Sequence, residues 1–281
     1  MMRMKAIRSI RELTRILDVD QRMRRFCLIK EDEGGYPRSV LSRFTHRVGA
    51  ERLRLIIEEK VVRLLRRSGV EEVDVVLDAS FVKAWSIRHP EWNKMGFSDP
   101  DAMVGRNGRG YDLGYKLHVS VDQRRILPLA EVIAPANENE KRHAPSLVER
   151  TRMVLEKAGA KLRSLIADSQ ISSARVRGLV EDSVIPYMSN QMRGVDVLRV
   201  DRRFRTHGPE GEVREYRRRP AVEASFAFMK TQFGLTVNRV RGLVNVSVYA
   251  LLSVLCCVLN REAAENLGRP DKALSPTFFN V

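Results

Sequence analysis

Cysteine is scarce in this 281-residue chain: Cys27, Cys256 and Cys257 are the only three, and none belongs to a CxxC pair or a Cys/His cluster. That excludes a disulfide framework and a zinc-ligand pattern, and fits a reducing compartment. The first residues, MMRMKAIRSIRELTRIL, carry a charge every few positions and lack the apolar stretch of a secretory signal peptide. No internal repeat or low-complexity tract is evident. One long apolar run exists, LVNVSVYALLSVLCCVL at 243–259. It barely reaches the ~17-residue minimum for a membrane span. Asn245, Ser247 and Ser253 interrupt it and basic sequence surrounds it, so a buried core helix is expected and no membrane is implied.

Basic charge, by contrast, is plentiful. Lys and Arg number 50 against 35 Asp and Glu, a formal net charge of +15. This is the footprint of a polyanion-binding protein, with nucleic acid the first partner to consider. A hydrophobic content of 43% over this length is enough to build a substantial core.

The hydrophobic period divides the chain. Residues 1–70 read as a helical N-terminal region: IRSIRELTRIL, SVLSRFTHRV and AERLRLIIEEKVVRLLRR place apolar residues three and four apart with basic residues between. Such basic helices suit DNA binding or a helical cap. From residue 73 the period shortens. VDVVLDASFV is a β-branched strand whose apolar part ends at Asp78, and YKLHVSVDQRRILPLAEVIA reads as two strands around a polar turn. The basic loop between them, 81–112, contains Trp85 and Trp92, candidates for base stacking, and a Gly-rich run, GRNGRG, expected to be a flexible loop. Asn137, three residues before Glu140, is placed to cap a helix over 144–158. A strand over 162–168, a helix over 171–181 and a short strand over 184–189 follow, then a basic irregular stretch, 190–215. PAVEASFAFMKTQFG opens a helix at Pro220 and stops at Gly234. The order is α/β: a three-strand antiparallel meander continued by αβ crossovers in one mixed sheet, 71–268, with a C-terminal tail, 269–281. It resembles the ribonuclease H-like fold.

Three carboxylates stand out. Asp78 and Asp168 each end an apolar strand, and two such strands side by side would project both from one sheet edge. Taken singly, they read as a turn residue and a helix N-cap. Glu223 shares a helix face with Arg219 and Lys230, beside an apolar stripe of Val222, Phe226, Met229 and Phe233. His118, on the apolar face of its strand, reads as structural.

Tyr216, Arg219, Glu223 and Lys230 match the Y-x2-R-x3-E-x6-K signature of a large group of bacterial and archaeal insertion-sequence transposases. DAS at 78–80, AD at 167–168 and GYKLHVSVD at 114–122 resemble further motifs of that group, so the resemblance extends over roughly residues 40–262. It implies a DDE transposase in which Asp78, Asp168 and Glu223 bind two Mg²⁺ ions, with Mn²⁺ a substitute, while Tyr216, Arg219 and Lys230 contact transposon-end DNA. It also implies cleavage at transposon ends, strand transfer into target duplex DNA, a homodimer on DNA and a place in the cytoplasm with the nucleoid. The alternatives are a nuclease that cuts without joining and a repurposed chain that only binds DNA. Ala79 and Ser80 depart from the group's Asp-Ser-Thr context, and no aromatic follows Asp168 closely. The interval from Asp168 to Glu223 leaves little room for a large β-rich insertion, and the short N-terminus suggests a truncated DNA-binding region.

Overall fold

The computed structural model describes residues 7, 9–30, 32–33, 35–86, 98–108, 110–189, 194–236 and 239–275. At its centre lies β1 (Glu72–Lys83), whose Val73, Val75, Val76 and Leu77 are buried in sequence because both faces of the strand are covered. β3 (Gly110–Asp122) pairs antiparallel with one edge of β1, and β4 (Leu127–Pro135) pairs antiparallel with β3. On the other side, β5 (Lys161–Ala167) runs parallel to β1 and β6 (Asp182–Val184) runs parallel to β5. The strand order β4-β3-β1-β5-β6 is the expected meander plus parallel crossovers, the ribonuclease H-like arrangement.

Two local expectations are corrected on this sheet. Asp78 is not a strand end: β1 continues five residues further, paired to β3 as far as Lys83 with Gly114. The GRNGRG run is not a free loop either. β2 (Met103–Asn107) pairs with the start of β3, turning at Gly108, whose φ of +61° suits glycine. Gly105 lets this hairpin lie against β4, since a Cβ there would stand 2.2 Å from the Ala136 carbonyl oxygen. Long apolar period marks a buried strand, and β2, mostly exposed, has none.

Helices cover both faces. α4 (Glu140–Ala158) links β4 to β5 and buries Leu147, Val148, Val154 and Leu155; its Thr151 hydroxyl donates to Ser120 of β3 at 2.7 Å. Its N-cap is Asn139, which accepts from the Lys141 amide at 3.1 Å, rather than Asn137. α8 (Pro220–Thr231) packs on β1 and β3 and against α9 (Leu243–Asn266). α9 is long and apolar enough by composition to cross a membrane, yet its Leu251, Val254 and Val258 are fully buried in this fold and Ser253 donates to the Phe233 carbonyl at 2.9 Å. It is a core helix.

At the N-terminus, α1 (Ile10–Val19) and α2 (Gln21–Phe26) meet at Asp20 alone, without the three- to four-residue turn of a helix-turn-helix. α3 (Arg38–Ser68) bends at Gly49 (φ 64°, ψ 177°), and its second half buries Ile57, Val61, Leu64 and Leu65 against β4, α4 and α9. The helix expected over 171–181 shrinks to a 3-10 turn (Ser169–Ile171) and α5 (Ala174–Arg177). The strand expected over 184–189 is β6 followed by a single bridge from Tyr187 to Val200. Nor is 190–215 irregular where it is described, because α6 (Asp201–His207) and α7 (Glu210–Tyr216) form there, anchored by buried Phe204, Val213 and Tyr216 among the arginines.

Candidate active site

The three carboxylates converge. Parallel pairing of β1 with β5 ends at Leu77 and Ala167, so the next residues, Asp78 and Asp168, emerge side by side where the two strands part. Asp78 is held by the Ala79 amide, which donates to Oδ1 at 2.8 Å. Asp168 also caps the 3-10 turn after β5, accepting from the Gln170 amide at 3.3 Å, so the capping role and the site role coincide. α8 brings Glu223. Its stripe of Val222, Phe226, Met229 and Phe233 is buried, which turns the Glu223 face towards the end of β1.

One guanidinium binds all three. Arg219 Nη1 lies 3.5 Å from Asp78 Oδ2 and 3.9 Å from Asp168 Oδ2, and Nη2 donates to Glu223 Oε1 at 2.5 Å. Among the described residues no three His, Cys, Asp or Glu side chains form a group close enough to share an ion. The middle of the triad is filled by the arginine. As donors the three carboxylates nevertheless suit a hard divalent cation: all are oxygen ligands, on separate elements, within reach of one cationic group.

Burial raises the Asp78 carboxyl to about 6 from its ordinary 3.8, and the charges of Glu140 and Asp168 add to that; the Ala79 amide and Arg219 act the other way. A carboxylate kept so high by desolvation is one that gains most from a bound cation. Lys230 is half-buried, and burial lowers its ammonium while the nearby charge of Asp78 raises it. Tyr216 is placed differently from the other signature residues. It is 4% exposed at the end of α7, packed edge-on against Phe204, and burial followed by the charge of Asp168 raises its hydroxyl. It reaches the site from inside the fold, beside a cavity of about 330 Å³ lined by Arg205, Arg219 and Glu223.

The sequence reading missed two neighbours. Ser169 Oγ stands 2.9 Å from Asp168 Oδ1 and 3.0 Å from Asp201 Oδ2, and its one proton can serve only one of them. Arg205 lies 5.6 Å from the Tyr216 ring centroid. Both Asp201 and Arg205 sit in the arginine-rich stretch, where no hydrophobic period singled them out. Of the two tryptophans, Trp85 lies half-exposed under Arg239, and Trp92 falls outside the described residues. His118 is structural: it is buried against the His143 ring, and desolvation lowers it to about 3.

Comparison with known proteins now bears on this geometry. No curated protein is significantly similar in sequence. Among solved structures, a piggyBac transposase synaptic complex with hairpin DNA aligns with a TM-score of 0.48 and 11% identity, over 73% of this chain and 51% of that one. The present chain thus spans about half of that protein's length. A Mos1 transposase paired-end complex with the left transposon end aligns at a TM-score of 0.25 and 14% identity, over 80% of each chain. The model of the transposase DDE domain family matches residues 70–260, from the start of β1 to within α9. That span holds Asp78, Asp168 and Glu223, and the chain belongs to the transposase DDE domain family.

Proposed function

We propose that the chain is a DNA transposase that cleaves at transposon ends and joins them to target DNA, with Asp78, Asp168 and Glu223 as its catalytic carboxylates. The observation that carries this reading is the convergence of those three groups on one guanidinium inside a DDE-family domain. Two Mg²⁺ ions, or Mn²⁺, held by the triad would supply an activated water and a stabilised leaving oxygen.

The chain's own residues do the rest. Arg219 offsets part of the triad's charge, and turns to a DNA phosphate when the carboxylates take up cations. Lys230, half-buried near Asp78, offers a second positive charge to the same strand. Tyr216 backs the site, with its hydroxyl held among Asp168, Arg205 and Arg219. In the first reaction the oxygen of water bonds to phosphorus and the bond to the 3′ oxygen breaks, freeing a 3′-hydroxyl. That hydroxyl then attacks a target phosphodiester, its oxygen bonding to phosphorus while the target's own 3′ oxygen leaves and takes up a proton, and joining two ends calls for a homodimer on DNA, in the cytoplasm where the nucleoid lies.

The test is cleavage of labelled DNA carrying the flanking terminal repeats, with Mg²⁺ or Mn²⁺, comparing wild type with Glu223→Gln. Metal-dependent nicking at the repeat ends that disappears in the variant is expected. A strand-transfer assay separates joining from cutting alone. Arg219 in the middle of the triad favours a second reading, a chain that binds DNA without cutting it; binding with no cleavage under either metal would establish that one instead.

A further inference from the structure

Away from the carboxylates, a groove of about 750 Å³ opens between the N-terminal helices and the start of α9. Four arginines line it: Arg11 from α1, Arg38 at the start of α3, and Arg239 and Arg241 from the segment before α9. No acidic residue lines it, and among the described residues none of the four arginines forms an ion pair. Two carboxylates hold the α9 entry without lining the groove: Asp99 Oδ1 accepts from the Gly242 amide at 3.1 Å and Asp101 Oδ2 from the Leu243 amide at 2.9 Å. Trp85 fixes one wall. Its carbonyl accepts from Arg241 Nε at 3.0 Å, and its ring lies 5.7 Å beneath the Arg239 guanidinium. Ser42, Thr45 and His46 of α3 line the groove as well.

Four guanidiniums around one groove, with no carboxylate among its described lining residues, attract an anion between them, and planar guanidinium forks match phosphate oxygens. The groove is open to solvent rather than a closed pocket, which suits a chain of phosphates. Its position supports the same partner. Trp85 lies seven residues beyond Asp78, two past the end of β1, so at about 3.3 Å per residue the two are at most about 23 Å apart. A duplex rises about 3.4 Å per base pair, so at most about seven base pairs separate the two points.

We propose that this groove is a second DNA-backbone contact, gripping the phosphates of the duplex within one helical turn of the bond that is cut. The inference rests on the DNA-transposase reading above, and adds a surface outside the signature residues. The N-terminal helices and the DDE domain then hold DNA jointly, with Trp85 and the α9 entry as the wall that the domain contributes.

The experiment is fluorescence anisotropy of a labelled mixed-sequence duplex, titrated in EDTA at several salt concentrations. Arg11→Gln/Arg38→Gln is the primary variant, because among the described residues neither side chain has a partner whose loss would disturb the fold. With about 0.9 counterion released per phosphate contact, the slope of log K against log salt falls by roughly 2, so over a fourfold salt rise wild type loses about twelvefold more affinity than the variant. Arg239→Gln/Arg241→Gln, checked for wild-type circular dichroism, is expected to change the slope in the same way. Wild-type slopes in both variants, or no duplex binding by wild type, overturn the proposal. Cleavage by Glu223→Gln tests the carboxylate reading separately, so a groove without a role and a triad without activity give different results.

Discussion

Replacing Asp78 by Asn should make the metal-free protein more stable, although it removes a group proposed to be essential. Burial is the reason. The Asp78 side chain is 21% exposed, and its carboxyl stands at about 6 against an ordinary 3.8. At about 1.36 kcal/mol per pH unit, ionising it in the folded chain costs about 3 kcal/mol relative to the unfolded chain. The pull of Arg219 is already part of that balance. The sign follows from the raised value: the protonated carboxyl favours the fold, this contribution is fully present below about 3.8, and it is lost as pH rises through about 6. Asn keeps an oxygen to accept from the Ala79 amide and carries no charge, so Asp78→Asn escapes the loss. Thermal unfolding in EDTA at pH 7.5 should show the variant more stable by about 2–3 kcal/mol, or roughly 5 °C for a chain of this size. The gain should shrink between pH 6 and pH 4 and vanish below. Added Mg²⁺ should then raise the melting temperature of wild type and not of the variant. A variant no more stable than wild type at pH 7.5, or a gain that persists at pH 4, would falsify the claim that desolvation dominates at Asp78.

Other substitutions probe the frame around the site. Arg54 Nε lies 3.2 Å from Glu131 Oε1, and burial raises that carboxyl to about 7 even with the partner present. Arg54→Ala should cost about 2 kcal/mol at pH 8 in urea unfolding, below the ~3–5 kcal/mol of a fully buried pair because Arg54 is a quarter exposed. That cost should fade as pH drops from 7 towards 5 and Glu131 takes up a proton; a pH-independent cost would contradict the assignment. Gly114→Ala would set a Cβ 2.3 Å from the Val82 carbonyl oxygen, forcing β1 and β3 apart at the Lys83 end of their pairing, and should destabilise by roughly 1–3 kcal/mol. Gly110→Ala, with nothing within 4 Å of the added carbon, is the control and should be close to neutral in the same denaturant titration.

Much of this protein could be read before any coordinates. β1, β5 and α9 announce themselves because buried elements need apolar residues at nearly every position, whatever else surrounds them. The stripe on α8 has the same origin: a helix that packs one face repeats its apolar residues at helical spacing, and Glu223 is what remains on the other edge. Elements with little burial were harder. β2 is mostly exposed and its hairpin depends on Gly105 passing the Ala136 backbone, a contact made only in three dimensions. α6 and α7 rest on Phe204, Val213 and Tyr216 scattered through arginines, too sparse for any period to show.

By itself, then, the order of residues determined the buried strands, the family signature and the three carboxylates, since each depends on local pattern or spacing. Tertiary structure alone decided what surrounds those carboxylates. The depth at which Asp78 is buried, the arginine in the middle of the triad, the Ser169 link to Asp201 and the basic groove beside Trp85 all join residues far apart in the chain. Desolvation and ion pairing act through space, and no local pattern carries them.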